Sequence, residues 1–143
     1  QVSYPLGNAG QWIPFDRDFT PRQVLDALQM LQPEGGTNLH VAFAEAFRYR
    51  DRGLDTIVLF SDGLPTESPD MTAEEKNLSN QEREQRLAPR VLKHISSWNA
   101  PRNADPGRVR IHAVGFYYDS PNLGNFLWSL ARQNNGSFVG LGH

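Results

Sequence analysis

Two short loops in this 143-residue chain carry oxygen donors from which a site could be built. One is Gly35-Gly36-Thr37-Asn38, which leads into a helical pattern, and the other is Ser61-Asp62-Gly63, which directly follows an apolar run. A carboxylate at the end of an apolar strand loses solvent and needs compensation from a cation or from backbone donors. Thr37 falls where a helix begins, with a hydroxyl available as an oxygen ligand. Oxygen-only ligands suit a hard cation such as Mg²⁺, which keeps several waters and takes few protein carboxylates. On local chemistry alone a simpler alternative stands beside this one: Thr37 as a helix N-cap and Asp62 as a turn former.

Other chemistries find less support. His40, His94, His112 and His143 are scattered, and none forms an HExxH or other close metal pair in sequence. His40 follows the Thr37 loop and either faces it or covers its helix; His112 falls in an apolar strand and reads as a structural histidine. The absence of cysteine removes disulfides, thiolate metal sites and thiol nucleophiles together. There is no G-x-S-x-G elbow, no phosphate-binding Walker loop and no G-x-G-x-x-G after a strand. An aspartyl-phosphate enzyme using Asp62 would want a second carboxylate two residues on, where Leu64 stands. A metal-dependent phosphate-ester hydrolase is therefore the least favoured class.

The chain begins at Gln1, which raises the expectation of a processed or trimmed N-terminus. Residues 1–19 read as an extended or edge-strand segment with loops. Thr20-Pro21-Arg22-Gln23 predicts a capped helix start, with Val24, Leu25, Leu28 and Leu31 at helical spacing, and Pro33 and Gly35-Gly36 stop it. A second helix is expected from about Leu39 to Arg50. Thr56-Ile57-Val58-Leu59-Phe60 does not alternate, which predicts a strand covered on both faces. Residues 64–79 read as a long polar loop. Ser79 and Glu82 form a capping-box pair opening a helix toward Trp98, with a kink or break at Pro89. A strand from Val109 to Phe116, a helix from Ser120-Pro121 to Asn135-Gly136 and a short strand from Ser137 to Leu141 complete an α/β order with a largely parallel sheet.

Bulk properties agree with a soluble, single-domain reading of residues 1–143. Lys plus Arg is 14 and Asp plus Glu 16, so the net charge is −2, which gives no reason to propose nucleic acid or an anionic membrane as partner. No segment approaches the ~20 apolar residues of a membrane span. Glu74-Glu75, the run from Glu82 to Arg86 and most arginines read as solvated surface. Trp12, Trp98 and Trp128 read as anchors at core edges. Tyr117 and Tyr118 follow a strand, either lining a rim or packing a loop.

Gly35-Gly36-Thr37-Asn38-Leu39, a helix, and then Thr56 to Phe60 followed by Ser61-Asp62-Gly63-Leu64-Pro65-Thr66 resemble the second and third metal-site motifs of von Willebrand factor type A domains. Ile111 to Phe116 resembles that family's next strand, and the Leu-rich helix with Gly136-Ser137-Phe138-Val139 resembles its closing helix and strand. The match covers roughly residues 20–141, and its specificity lies in the order and spacing of the motifs. It implies a Rossmann-like, mostly parallel sheet with helices on both faces. It also implies a metal-ion-dependent adhesion site in which Thr37 and Asp62 help hold Mg²⁺ or Mn²⁺, directly or through water. Gly36, Asn38, Gly63 and Leu64 would shape the rim, and a carboxylate from a partner protein would take the open position.

The sequence departs from the family in one respect. The first motif, Asp-x-Ser-x-Ser, does not occur, and the resemblance implies that Gln1 enters the fold after the family's first, central strand. Two explanations compete: a C-terminal piece of a longer domain, which we favour, or a degenerate member that binds partners without metal. Either way a sheet without its central strand exposes an apolar edge that invites pairing with another chain, including a second copy. The reading is a protein-binding module rather than an enzyme.

Overall fold

The computed structural model describes residues 10–32, 35–102, 107–116 and 121–142. The chain forms two compact units, Gln1–Gly35 and Gly36–His143. The predictions for residues 1–9, including the start of the extended segment, lie outside the described residues.

In the first unit, helix α1 spans Thr20–Gln29, with Pro21 in its first turn. The expected Thr20–Gln23 capping box does not form. The Thr20 hydroxyl turns back instead, accepting from the Asp16 amide at 2.8 Å and donating to the Pro14 carbonyl at 3.3 Å. Asp16 supplies the turn, its carboxylate accepting from the amides of Asp18 and Phe19 at 2.9 and 3.1 Å. No α1 residue is buried, and Leu25 and Leu28 lie exposed.

The second unit is built around three parallel strands, β1 (Thr56–Ser61), β2 (Arg110–Phe116) and β3 (Phe138–Leu141), in the order β1-β2-β3. β1 pairs with β2 in the register Ile57 to Ile111 and Leu59 to Ala113, and β2 with β3 in the register Ala113 to Phe138. Helix α2 spans Leu39–Phe47, α3 Ala73–Lys76, α4 Asn80–Trp98 and α5 Pro121–Gln133. The architecture is therefore mixed α/β with a parallel sheet.

The core sits on one face of that sheet. Ile111 and Ala113 are buried, with Ile57 and Leu59 packed beside them, against Val91 and Ile95 of α4 and Leu123, Leu127 and Leu130 of α5. The opposite face carries Val58, Phe60, Val139 and Leu141, each between 46% and 63% exposed, with Phe60 stacked on Phe116 at 6.0 Å. This corrects the expectation of helices on both faces. Parallel crossovers are right-handed, so strands that step one way, β1 to β2 to β3, place both crossover helices on the same side. Covering the other face takes a reversal of strand order, which no described strand provides. The nonalternating apolar run was therefore a misleading signal for two-sided burial.

Local signals explain the remaining elements. Asn38 caps α2, its side chain accepting from the Val41 amide at 3.1 Å. The helix ends at Phe47, earlier than expected, and a 3₁₀ turn over Arg50–Arg52 closes on Gly53 at φ 90°. Arg50 is buried there, its guanidinium donating to the carbonyls of Trp98, Ala100 and Gly107 at 2.6, 2.9 and 2.9 Å. The presumed long loop contains α3, opened by a capping box between Thr72 and Glu75, and the Ser79–Glu82 box opens α4 as expected.

α4 runs through Pro89 without a break. A proline inside a helix costs about 3 kcal/mol, but Leu87, Val91 and Ile95 form a fully buried stripe on α4, worth roughly 1.5–3 kcal/mol each. Burial therefore outweighs the lost bond. Trp98 packs against the core as an edge anchor, whereas Trp12 and Trp128 are about half exposed.

Candidate functional site

The two sequence-distant loops meet at the carboxyl end of β1. The Thr37 carbonyl accepts from the amides of Thr66 and Glu67 at 2.9 and 3.1 Å, and the Thr37 amide donates to the Thr66 hydroxyl at 3.0 Å. A side-chain carbon on Gly63 would stand 3.8 Å from the Thr37 hydroxyl. Gly36 must be glycine for this contact to exist. A methyl there would approach the Thr66 hydroxyl to 2.6 Å and the Glu67 side chain to 3.0 Å.

These facts sharpen the roles of the expected residues. Asn38, not Thr37, is the helix N-cap. Thr37 is half-buried, and its hydroxyl has no hydrogen-bond partner among the described residues. It is therefore free to serve as a ligand. Asp62 is exposed, which corrects the expectation that the strand end would desolvate it. The chain turns at Ser61, so burial falls on Ser61, whose hydroxyl donates to the Gly63 carbonyl at 2.8 Å. Leu64 is 7% exposed and belongs to the core rather than to the rim, because it is the first apolar residue after the turn. Glu67 is an addition that sequence reasoning missed: its exposed carboxylate lies over Gly36, beside Thr37. Its only signal was its place directly after Leu64-Pro65-Thr66. Tyr117 and Tyr118 lie outside the described residues.

The side chains that these loops offer are oxygen donors only, namely the Thr37 hydroxyl and the carboxylates of Asp62 and Glu67. Such donors fit a hard cation that retains water. Beside it, Leu64, Gln81, Glu84, Gln85, Asn122 and Asn125 line a groove of about 370 Å³ between α4 and α5.

A different donor group joins α2, the loop before α3, and α4. One ligand-capable atom from each of His40, Asp70 and His94 falls within 4.8 Å of the others. His94 Nε2 lies 3.3 Å from Asp70 Oδ2. The other oxygen, Oδ1, is engaged by the Ser68 hydroxyl and lies 3.6 Å from the Arg90 guanidinium. The two imidazoles meet edge-on at 4.7 Å, and both contact Trp98, His94 by stacking at 5.6 Å and His40 edge-on at 5.1 Å.

Burial holds the His40 imidazolium form down, and the neighbouring His94 adds to this against the opposing pull of Asp70. The Ser68 hydrogen bond holds the Asp70 carboxyl below the usual carboxylate range; burial opposes this, and His94 and Arg90 reinforce it. His112 is not part of this group. Its Nδ1 accepts from the Ser137 amide at 3.2 Å and meets the Ser137 hydroxyl at 2.8 Å.

No helix among the described residues is long and apolar enough to cross a membrane. Compared with protein-family models, curated proteins and solved structures, the chain matches none.

Proposed function

We propose that this chain is a protein-binding module of von Willebrand factor A type, which engages an acidic side chain of its partner through a divalent cation at the carboxyl edge of the sheet. The observation that carries the reading is the clamp between the Thr37 loop and the Ser61-Asp62-Gly63 loop: Thr66 and Glu67 donate to the Thr37 carbonyl, and Gly63 lies against the Thr37 hydroxyl. Two loops 25 residues apart in motif order need no such contact to build the sheet, but an oxygen-ligand site does need it.

Thr37 and Asp62 would hold Mg²⁺ or Mn²⁺, with water in the remaining positions, and Gly36, Asn38 and Gly63 would shape the rim. Leu64 would support it from beneath. The cation would supply a positive charge with an exchangeable position, which attracts a carboxylate. Open α/β sheets bind ligands outside the carboxyl ends of their strands, at the point where strand order reverses. β1 is the edge strand of the described sheet, and a strand supplied on its free side would create that reversal next to Asp62.

Calorimetry with Mg²⁺ should be run on this sequence extended through an upstream Asp-x-Ser-x-Ser segment. Binding that Asp62→Ala abolishes supports the reading, and binding unchanged in that variant refutes it. A second reading is favoured by the exposure of Val58 and Phe60 on the edge strand: a metal-independent interaction domain, which would associate through that apolar strand with a partner or a second copy. Partner binding that survives a chelator would favour this second reading over the first.

A further inference from the structure

We infer that His40, Asp70 and His94 form a second cation site, one for a borderline transition metal of the Zn²⁺ class rather than for Mg²⁺. The three residues come from separate segments, so no local turn forces them together, yet their donor atoms lie within 4.8 Å of one another. Zinc bonds of about 2.0–2.1 Å to nitrogen and oxygen put tetrahedral ligand atoms about 3.3–3.4 Å apart. The His94–Asp70 pair already stands at 3.3 Å, and the His40 donor lies within 4.8 Å of both.

An independent observation points the same way. His40 Nδ1 is buried and has no hydrogen-bond partner. A buried polar atom left unsatisfied is costly, and such groups call for an explanation such as an unseen ion. A plain His94–Asp70 hydrogen bond accounts for those two residues and leaves His40 unexplained. A metal uses all three.

The surroundings resemble a support shell. Ser68 and Arg90 occupy Asp70 Oδ1, which leaves Oδ2 turned toward His94, and Trp98 packs against both rings. Outer partners of this kind fix ligand orientation. Imidazole ligands favour zinc and its neighbours over the hard cations. Asp70 is exposed, so solvent or a partner donor can take the fourth position, as in sites with three protein ligands. Occupancy would tie the first turn of α2, directly after the Thr37 loop, to α4.

The test is titration of the full chain with Zn²⁺ in the presence of excess Mg²⁺, followed by calorimetry and by long-range imidazole nitrogen NMR. One Zn²⁺ should bind per chain and shift the ring signals of His40 and His94 while leaving His112 in place. His94→Gln and Asp70→Asn should each weaken binding at least about tenfold and Ser68→Ala by about tenfold, the scale of outer-partner effects, with His112→Ala unchanged. Circular dichroism separates lost ligands from lost fold, and NMR on the unaltered chain does not depend on any variant. The proposal is overturned if Zn²⁺ shifts no histidine, if it shifts His112 in place of His40 and His94, or if a folded His94→Gln variant binds as tightly as the parent.

Discussion

Gly36→Ala is the sharpest probe of the clamp between the two loops. The new methyl would meet the Thr66 hydroxyl at 2.6 Å and the Glu67 Cγ and Oε1 atoms at 3.0 Å. Glu67 is exposed and can give by a few tenths of an ångström. Thr66 cannot move without releasing the Thr37 amide, to which it is bound at 3.0 Å. A lost hydrogen bond costs about 0.5–1.5 kcal/mol, and leaving the half-buried donor unpaired adds to that. The expected destabilisation is about 1–2 kcal/mol. At about 3–4 °C per kcal/mol for a chain of this size, the melting temperature should fall by roughly 3–8 °C in scanning calorimetry.

The double-mutant cycle makes the argument specific. Thr66→Ala alone removes the acceptor and should cost about 1 kcal/mol. In the Gly36→Ala/Thr66→Ala double variant the obstructing oxygen is gone, and alanine restricts the unfolded chain more than glycine does. The double variant should therefore be no less stable than Thr66→Ala, a coupling of about 1–2 kcal/mol. If Gly36→Ala melts with the parent chain, or if the two losses simply add, the contact is not the constraint described here.

Further outcomes follow from other parts of the unit. Asn99 is fully buried, donating to the Val109 carbonyl and to Asn134 Oδ1 at 2.8 and 2.7 Å while accepting from the Val109 amide at 2.8 Å. Asn99→Leu strands three buried groups and should cost about 3–5 kcal/mol in urea denaturation; a loss under 1 kcal/mol would show that the network is dispensable. The Arg90 guanidinium, with the Thr72 amide second, holds the Glu75 carboxyl below the usual glutamate range. A depressed folded-state value contributes stability that is present above the unfolded value of about pH 4.3 and lost as pH falls through the folded one. Glu75→Gln should thus flatten the acid limb of the stability profile, and an unchanged limb would contradict the pairing. Phe60 is 63% exposed and stacks on Phe116, so Phe60→Ser should cost no more than about 0.5–1.5 kcal/mol. If the open sheet face drives self-association, sedimentation velocity should show a monomer in place of larger species.

The two candidate loops were legible because their signals are local. The Gly36-Thr37 loop and the turn at Asp62 announce themselves by composition at the ends of a helix and a strand, and the structure brings them together. Leu64 was misassigned because adjacency to Asp62 says nothing about which way a side chain turns. Glu67 went unnoticed because its nearness to Thr37 exists only once Thr66 and Glu67 bond to the Thr37 carbonyl. The His40, Asp70 and His94 group carries no spacing signature at all, since its members reach one another across the packing of α2 on α4.

Helices and strands were readable wherever short-range rules govern them. The Ser79–Glu82 capping box, the apolar run of β1 and the glycine after α5 each act through neighbours within a few residues. Pro89 showed the limit of such rules: a local penalty yielded to a buried stripe that only the assembled core supplies. Sheet coverage was decided at the same level. Residues 56–60 look alike whether one face is covered or two, and it is the one-way order of three strands, joined by right-handed crossovers, that leaves Val58 and Phe60 in solvent. Sequence by itself determined where the chain turns helical or extended and which loops carry oxygen donors, because those depend on near neighbours. Only the tertiary structure decided which donors meet and which faces stay open, because those depend on contacts between segments far apart in the chain.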